Sequence, residues 1–247
     1  MAIQKKTYID FLGGPEPSTQ LTGASGGTGV AAGSDNDINQ WQFANGAQLE
    51  VLCTAANADI VPVKSAGVGL VIPNDNTANE GIEMTVSDSL NSTGPCYTIG
   101  TDAAFRIDVK FKITDVSDYD VACVGFRKQA AYTAAVEAHA ELITDYDDVA
   151  LLNVNAGDIF TGTRLNAGTG TLTDTTDNWA DTATKTLSVL VSSAGVTTFQ
   201  IDGAAPTTTQ THTFDDGDVV IPFVAFTKAA TSGDTPPTLV SWFSGHQ

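Results

Sequence analysis

Two short acidic runs, Asp145-Tyr-Asp147-Asp148 and Asp215-Asp216-Gly-Asp218, and three tryptophans are the residues of this chain best suited to bind a ligand. Closely spaced carboxylates supply the hard oxygens that calcium takes, so Asp145, Asp147, Asp148, Asp215, Asp216 and Asp218 are the candidate calcium ligands and calcium the one candidate cofactor. The competing reading is turn chemistry, because aspartates also close tight connections onto their own backbone. A third run, Asp35-Asn-Asp37-Ile-Asn39, starts like an EF-hand loop but has Gln40 where that loop needs glycine and Gly46 where it needs glutamate. Trp41 and Trp242 lie in apolar strand text and belong to a core. Trp179, inside Thr-Asp-Asn-Trp-Ala-Asp, reads as loop and is the candidate for stacking on a glycan.

Catalytic groupings do not assemble from these residues. Glycoside hydrolysis needs two carboxylates flanking the scissile bond, and Glu80 and Glu83, three apart across Gly81, point to opposite faces of an extended strand. Gly-x-Ser-x-Gly is absent, and His139, His212 and His246 stand in unrelated contexts without a serine or cysteine partner. Gly27-Thr-Gly29-Val-Ala-Ala32 echoes a dinucleotide loop, yet it follows no strand and lacks the lysine of a phosphate loop. The expectation is a non-enzymatic protein.

The elements that position such residues are strands. Phe105, Ile107, Val109, Phe111 and Ile113 alternate with Arg106, Asp108, Lys110 and Lys112, the period of two of a strand with one face on a core and one in water. Leu187, Val189 and Val191 share a face in the next clear run; Ser-Ala-Gly turns the chain, and Val196 and Ile201 anchor the returning strand. Further apolar segments begin at Trp41, Leu49, Val68, Ile82, Val121, Val149, Ile159, Val219 and Thr238, each bounded by Gly, Pro, Asn or Asp. Pro222 inside such a run predicts an edge strand or a bulge. The one segment predicted as a helix is Ala130 to Leu142, rich in Ala and Glu, with a strand as the alternative for its Ala/Thr/Val text.

The chain has 247 residues, a length at which all-β sandwiches still form one domain. Residues 1–40 are dominated after Phe11 by Gly, Ser, Thr and Ala and are expected to form an extended arm, with the sandwich over 41–247. Eleven basic against 29 acidic residues leave a net charge of −18, which repels nucleic-acid phosphates and anionic membranes. Neither an apolar stretch after Met1-Ala-Ile-Gln-Lys-Lys nor one of membrane-spanning length occurs. Cys53, Cys96 and Cys123 have no metal-site spacing and suit buried thiols in a cytoplasmically made protein. Asn91-Ser-Thr then reads as an exposed turn.

Trp41 with Gly46, Gly69-Leu70 before Ile82-Glu-Met, the Phe105–Ile113 strand, Val124-Gly-Phe-Arg-Lys128, Thr186 to Gly203 and Val220 to Phe226 together resemble the concanavalin-A-like, or laminin-G-like, jelly rolls that serve tailed bacteriophages as capsid cement or decoration proteins. The resemblance implies an all-β, two-sheet antiparallel jelly-roll sandwich on the outer capsid surface of a virion, made in the host cytoplasm. It further implies a homo-oligomer whose partner is the major capsid protein; a glycan-binding, lectin-like module is the alternative. The apolar residues of the arm, Ile3, Tyr8, Ile9, Phe11 and Leu12, are then the expected contacts with the capsid or a neighbouring copy, left mobile until a partner surface orders them.

Overall fold

The computed structural model describes residues 6–12, 17–22, 36–43, 48–54, 62–65, 67–72, 81–86, 96–130, 143–144, 146–229 and 235–247; at 6, 17–22, 36–43, 48–54, 63–65 and 81 the description is of backbone pairing alone. In chain order the described strands are β1 (Lys6–Asp10), β2 (Pro17–Thr22), β3 (Asn36–Phe43), β4 (Gln48–Thr54), β5 (Val63–Ser65), β6 (Gly69–Val71), β7 (Gly81–Thr85), β8 (Tyr97–Thr98), β9 (Phe105–Lys112), β10 (Tyr119–Lys128), β11 (Val149–Asn155), β12 (Asp158–Arg164), β13 (Thr171–Asn178), β14 (Thr184–Val191), β15 (Val196–Ile201), β16 (His212–Thr213), β17 (Val219–Lys228) and β18 (Thr238–His246). One sheet runs β16-β15-β14-β9-β18-β6-β5, with β1 also on β18; the other runs β13-β12-β11-β10-β17-β7-β4-β3-β2, with β8 also on β17. The chain is a two-sheet antiparallel sandwich. Among the described residues no helix is long and apolar enough to cross a membrane. The predicted helix, beyond Ala130, lies outside them.

The alternation in β9 plays out as expected: Phe105, Ile107, Val109, Phe111 and Ile113 are all fully buried between the sheets, and the residues between them face outward. Leu187 and Val189 of β14 lie opposite Val109 and Ile107 and extend the same core. The β14–β15 hairpin also forms, but Val196 is exposed while Thr197, Phe199 and Ile201 are buried. Parity decides this, since Val196 is an odd number of residues from Thr197 and an even number from the outward Thr198. The turn needs Gly195, whose φ is +80° and whose added Cβ would stand 2.3 Å from the Phe214 carbonyl.

Two sequence expectations are corrected. Pro222 lies in β17, a central strand flanked by β10 on one side and by β8 and then β7 on the other. Its carbonyl accepts the Thr85 hydroxyl at 2.7 Å, on the β7 side. Because the N and C=O of one strand residue point the same way, its missing N–H falls in the gap between β8 and β7, where no ladder bond is lost.

The second correction concerns the arm and its boundary at residue 40. Lys6–Asp10 pairs in register with Gly245–Ser241, Phe11 donates its N–H to the Val240 carbonyl at 2.9 Å, and Ile9 and Phe11 belong to the main core. Asn36–Phe43 is one strand of the ten-stranded sheet and crosses the expected boundary. The Gly-rich text drew the boundary too late because composition says nothing about which edge a short apolar strand will find. Tyr8 and Leu12 point outward, at 53% and 41% exposure; Ile3 lies outside the described residues.

Phe11→Ala should therefore cost about 3–5 kcal/mol of stability, as for a core phenylalanine. Thermal and urea unfolding measure it. A melting temperature equal to that of the parent protein would place Phe11 back on a free arm.

Candidate functional site

The two acidic runs meet in space, and a lysine stands between them. Lys128, at the end of β10, places Nζ 2.7 Å from Asp218 Oδ1 and 3.0 Å from Asp148 Oδ2. Hydrogen bonds to Asp218 and then Asp148 hold the ammonium well above the usual lysine range. The remaining oxygens are also engaged: Asp148 Oδ1 accepts the Asn166 N–H at 2.5 Å, and Asp218 Oδ2 accepts the Asp215 N–H at 3.2 Å. Asp215 Oδ2 accepts from Asn166 Nδ2 at 2.7 Å. Asp147 and Asp216 are exposed at the rim, and Asp145 lies outside the described residues. Among the described residues no three Asp, Glu, His or Cys side chains converge as a metal-binding group.

Beneath this cluster a second polar group organises the outer face of the ten-stranded sheet. Arg127 is fully buried and donates Nε and Nη2 to Glu83 Oε1 at 2.9 and 2.7 Å, while Nη1 reaches the Lys128 and Ala130 carbonyls. Tyr146 donates its hydroxyl to Glu83 Oε2 at 2.6 Å and lies with its ring 4.2 Å from the guanidinium carbon. Both oxygens of Glu83 are thus taken. Phe223, Val121, Cys123 and Leu151 pack around the group in an apolar cluster separate from the main core.

Tyr146 and Asp148 hand their positions on to the loop after β12. Arg164 uses every donor nitrogen on carbonyls: Nε on Gly168 at 2.8 Å, Nη2 on Ala167 at 3.0 Å, and Nη1 on Tyr146 at 3.0 Å and on Thr144. This clamp holds Asn166 and Ala167 at φ of 51° and 52°, left-handed values that cost energy unless their surroundings enforce them.

The clamped loop forms one wall of a groove of about 420 Å3 at the seam where the edges of the two sheets approach. Its hydroxyls come from Thr163, Thr169, Thr171, Thr211 and Thr213. Gln210 stitches the seam, donating Nε2 to the Thr161 and Thr171 carbonyls at 3.0 and 3.1 Å. His212 sits in the groove wall at 8% exposure, edge-on to Phe214 at 4.6 Å, and among the described residues its buried Nε2 has no hydrogen-bond partner. Burial lowers its pKa and keeps the ring neutral, against the opposing charges of Asp148 and Asp215.

Trp179, the expected glycan platform, is not in this groove. It is 2% exposed, stacks on Phe111 at 4.6 Å and donates Nε1 to the Ala183 carbonyl at 3.3 Å, closing one end of the main core. Its polar neighbours in sequence are the turn that lets it fold inward. Trp242 is buried, as read from its apolar context. The groove residues were missed because lone histidines and threonines carry no motif; the density of Thr in Thr207–Thr213 and Thr161–Thr176 was the available signal.

No protein-family model matches the sequence, and no curated protein matches it. By structure the chain is similar to a protein of unknown function from Shewanella oneidensis MR-1, at 13% identity and a TM-score of 0.51, over 99% of this chain and 87% of that one. It is also similar to the CBM2 module of the evolved Dit of Lactobacillus casei BL23 phage J-1, at 12% identity and a TM-score of 0.47 over 99% and 97%. The Emp46p carbohydrate recognition domain aligns at 10% identity and a TM-score of 0.47 over 74% and 84%. At this distance the likeness to the Shewanella protein supports the sandwich fold alone.

Two outcomes are expected from the site. Arg127→Met alone should cost about 3–5 kcal/mol, because it strands the buried Glu83 carboxylate, and adding Glu83→Gln should recover part of that loss. Urea denaturation of both variants tests the coupling. For His212 the folded pKa lies below the unfolded value of about 6.5, so its contribution is complete above that pH and is lost as pH falls through the interval beneath it. His212→Phe should flatten the fall in unfolding free energy between pH 7 and pH 5.

Proposed function

We propose that this chain is a non-catalytic, carbohydrate-binding β-sandwich module and that the threonine groove is where it holds a neutral saccharide. The observation that carries the reading is the groove itself, lined by five threonines whose hydroxyls make no hydrogen bond to other described residues, with His212 in its wall and the buried Nε2 of that ring unpartnered among the described residues. Hydroxyls that line a groove without partners suit a ligand that both donates and accepts at several adjacent points. Saccharide hydroxyls have that property. The nearby charges favour a neutral ligand, since Arg164, Lys128, Asp148 and Asp218 already spend their groups on one another or on the backbone. The groove volume falls within the range of about 300–1,000 Å3 usual for small-molecule sites.

The non-enzymatic assignment is supported by Glu83, whose two oxygens are held by Arg127 and Tyr146 in a buried setting and cannot reach a substrate. A glycan array of neutral oligosaccharides, followed by calorimetry on the best ligand, tests the reading. Thr171→Val and His212→Phe should each weaken binding about tenfold, the usual effect of removing a hydrogen-bonding partner. Absence of binding to any neutral saccharide, or binding by both variants as tight as that of the parent protein, would overturn it.

A second reading, decoration of a virion by contact with the major capsid protein on the outer capsid surface, is favoured by one observation. Tyr8, Leu12 and Val68 are large apolar side chains left exposed at or beside the eight-stranded sheet. Tyr8→Ser with Leu12→Ser should lower occupancy on capsids that lack the native protein, without changing saccharide binding.

A further inference from the structure

The outward face of β9 forms the floor of a second groove, of about 710 Å3, on the eight-stranded sheet. Lys110 and Lys112 project into it, and Leu12, Val68 and Val240 line it as apolar neighbours. In register Lys110 lies between Thr186 and Ser241, and Lys112 between Thr184 and Thr238, so each ammonium is flanked by hydroxyl residues on both adjoining strands.

Among the described basic side chains these two lysines stand apart. Arg106 pairs with Asp108 at 3.0 Å and lies 5.1 Å from the Phe243 ring, Lys185 reaches Asp202 at 3.5 Å, and Arg127 and Lys128 are paired as described. Lys110 and Lys112 make no ion pair with any described residue, although the chain carries 29 carboxylates. Two like charges at alternate positions of one strand repel each other and gain nothing from the fold. Their arrangement suits an external anion.

We propose that this groove docks an extended segment of a partner protein that carries acidic residues at alternate positions with apolar residues beside them. Alternate side chains of an extended peptide recur at about 6.8 Å, the spacing of Lys110 and Lys112 along their own strand. Two carboxylates of such a segment reach both ammonium groups at once while its apolar residues cover Leu12 and Val68. An acidic polysaccharide matches the charge but has no aliphatic side chains for that wall. A second copy of this chain is opposed by the repulsion of two bodies each at −18. The site is independent of the threonine groove and gives a partner chemistry to the protein-contact reading.

The test uses a fluorescein-labelled peptide of alternating valine and aspartate, with anisotropy read at low and high salt against the intact protein. Lys110→Thr with Lys112→Thr should weaken binding about tenfold and remove most of its salt dependence, whereas Lys185→Thr should leave it unchanged. Threonine suits an exposed strand position, and far-UV circular dichroism verifies the fold of each variant. Peptide affinity unaltered by the double substitution overturns the proposal. So does preferential binding of an alginate oligosaccharide, which assigns the groove to an anionic glycan. Concentration-dependent self-association that the same substitutions abolish assigns it to a second copy and equally overturns it. None of these outcomes bears on neutral-saccharide binding, which His212→Phe reports separately.

Discussion

The Arg127 guanidinium, buried between Glu83 and Tyr146, is the contact through which the functional end of the sandwich is held together. It joins β7 to β10 through Glu83 and draws Tyr146 down onto the sheet. Tyr146 then offers its carbonyl to Arg164, and Asp148, two residues on, reaches Lys128 and Asn166. A buried ion pair of this kind adds little net stability, because desolvation offsets much of the attraction. What it supplies is direction. A carboxylate with both oxygens engaged and an arginine with donors on both Glu83 and two carbonyls have one satisfactory arrangement, and the segment around Tyr146 must adopt it.

That arrangement follows from a demand of the fold. β10 and β17 are central strands, and both are buried on nearly every residue because the outer face of their sheet is covered as well as the inner. Their inward residues join the main core, while Val121, Cys123, Phe223 and Ala225 form the second cluster outside. A strand covered on both sides reads as a continuous apolar run. Arg127 is the one charged residue among the buried positions of β10, and a charge there is tolerable only with Glu83 opposite to neutralise it.

The net charge of −18 does not describe the surfaces where binding is proposed. Around the threonine groove the carboxylates are consumed by Lys128, by Asn166 and by backbone amides, leaving hydroxyls and a neutral imidazole. On the outer face of β9 the balance is reversed locally, with two lysines that pair with no described carboxylate beside exposed aliphatic groups. Both surfaces depend on strand register, which decides what lies opposite each residue and so which charges are spent within the protein.

Period-two alternation made β9 and β14 legible in the sequence, since apolar residues at every second position have one physical outcome on a half-covered sheet: Val109 and Val189 go inward and Lys110 outward. The all-β class was legible on similar local grounds. Partners distant in the chain decided the rest. Ile9 and Phe11 became core because β18, at the far end of the chain, offered them an edge in register. Pro222 fits a central strand because of where β8 stops and β7 starts. Trp179 turned inward onto Phe111, and the two acidic runs closed on Lys128 rather than lying as separate turns. His212 gained meaning when the edges of two sheets met around it. Local pattern fixes which way a side chain points from its own strand, but only the folded chain brings up the neighbour that side chain will meet.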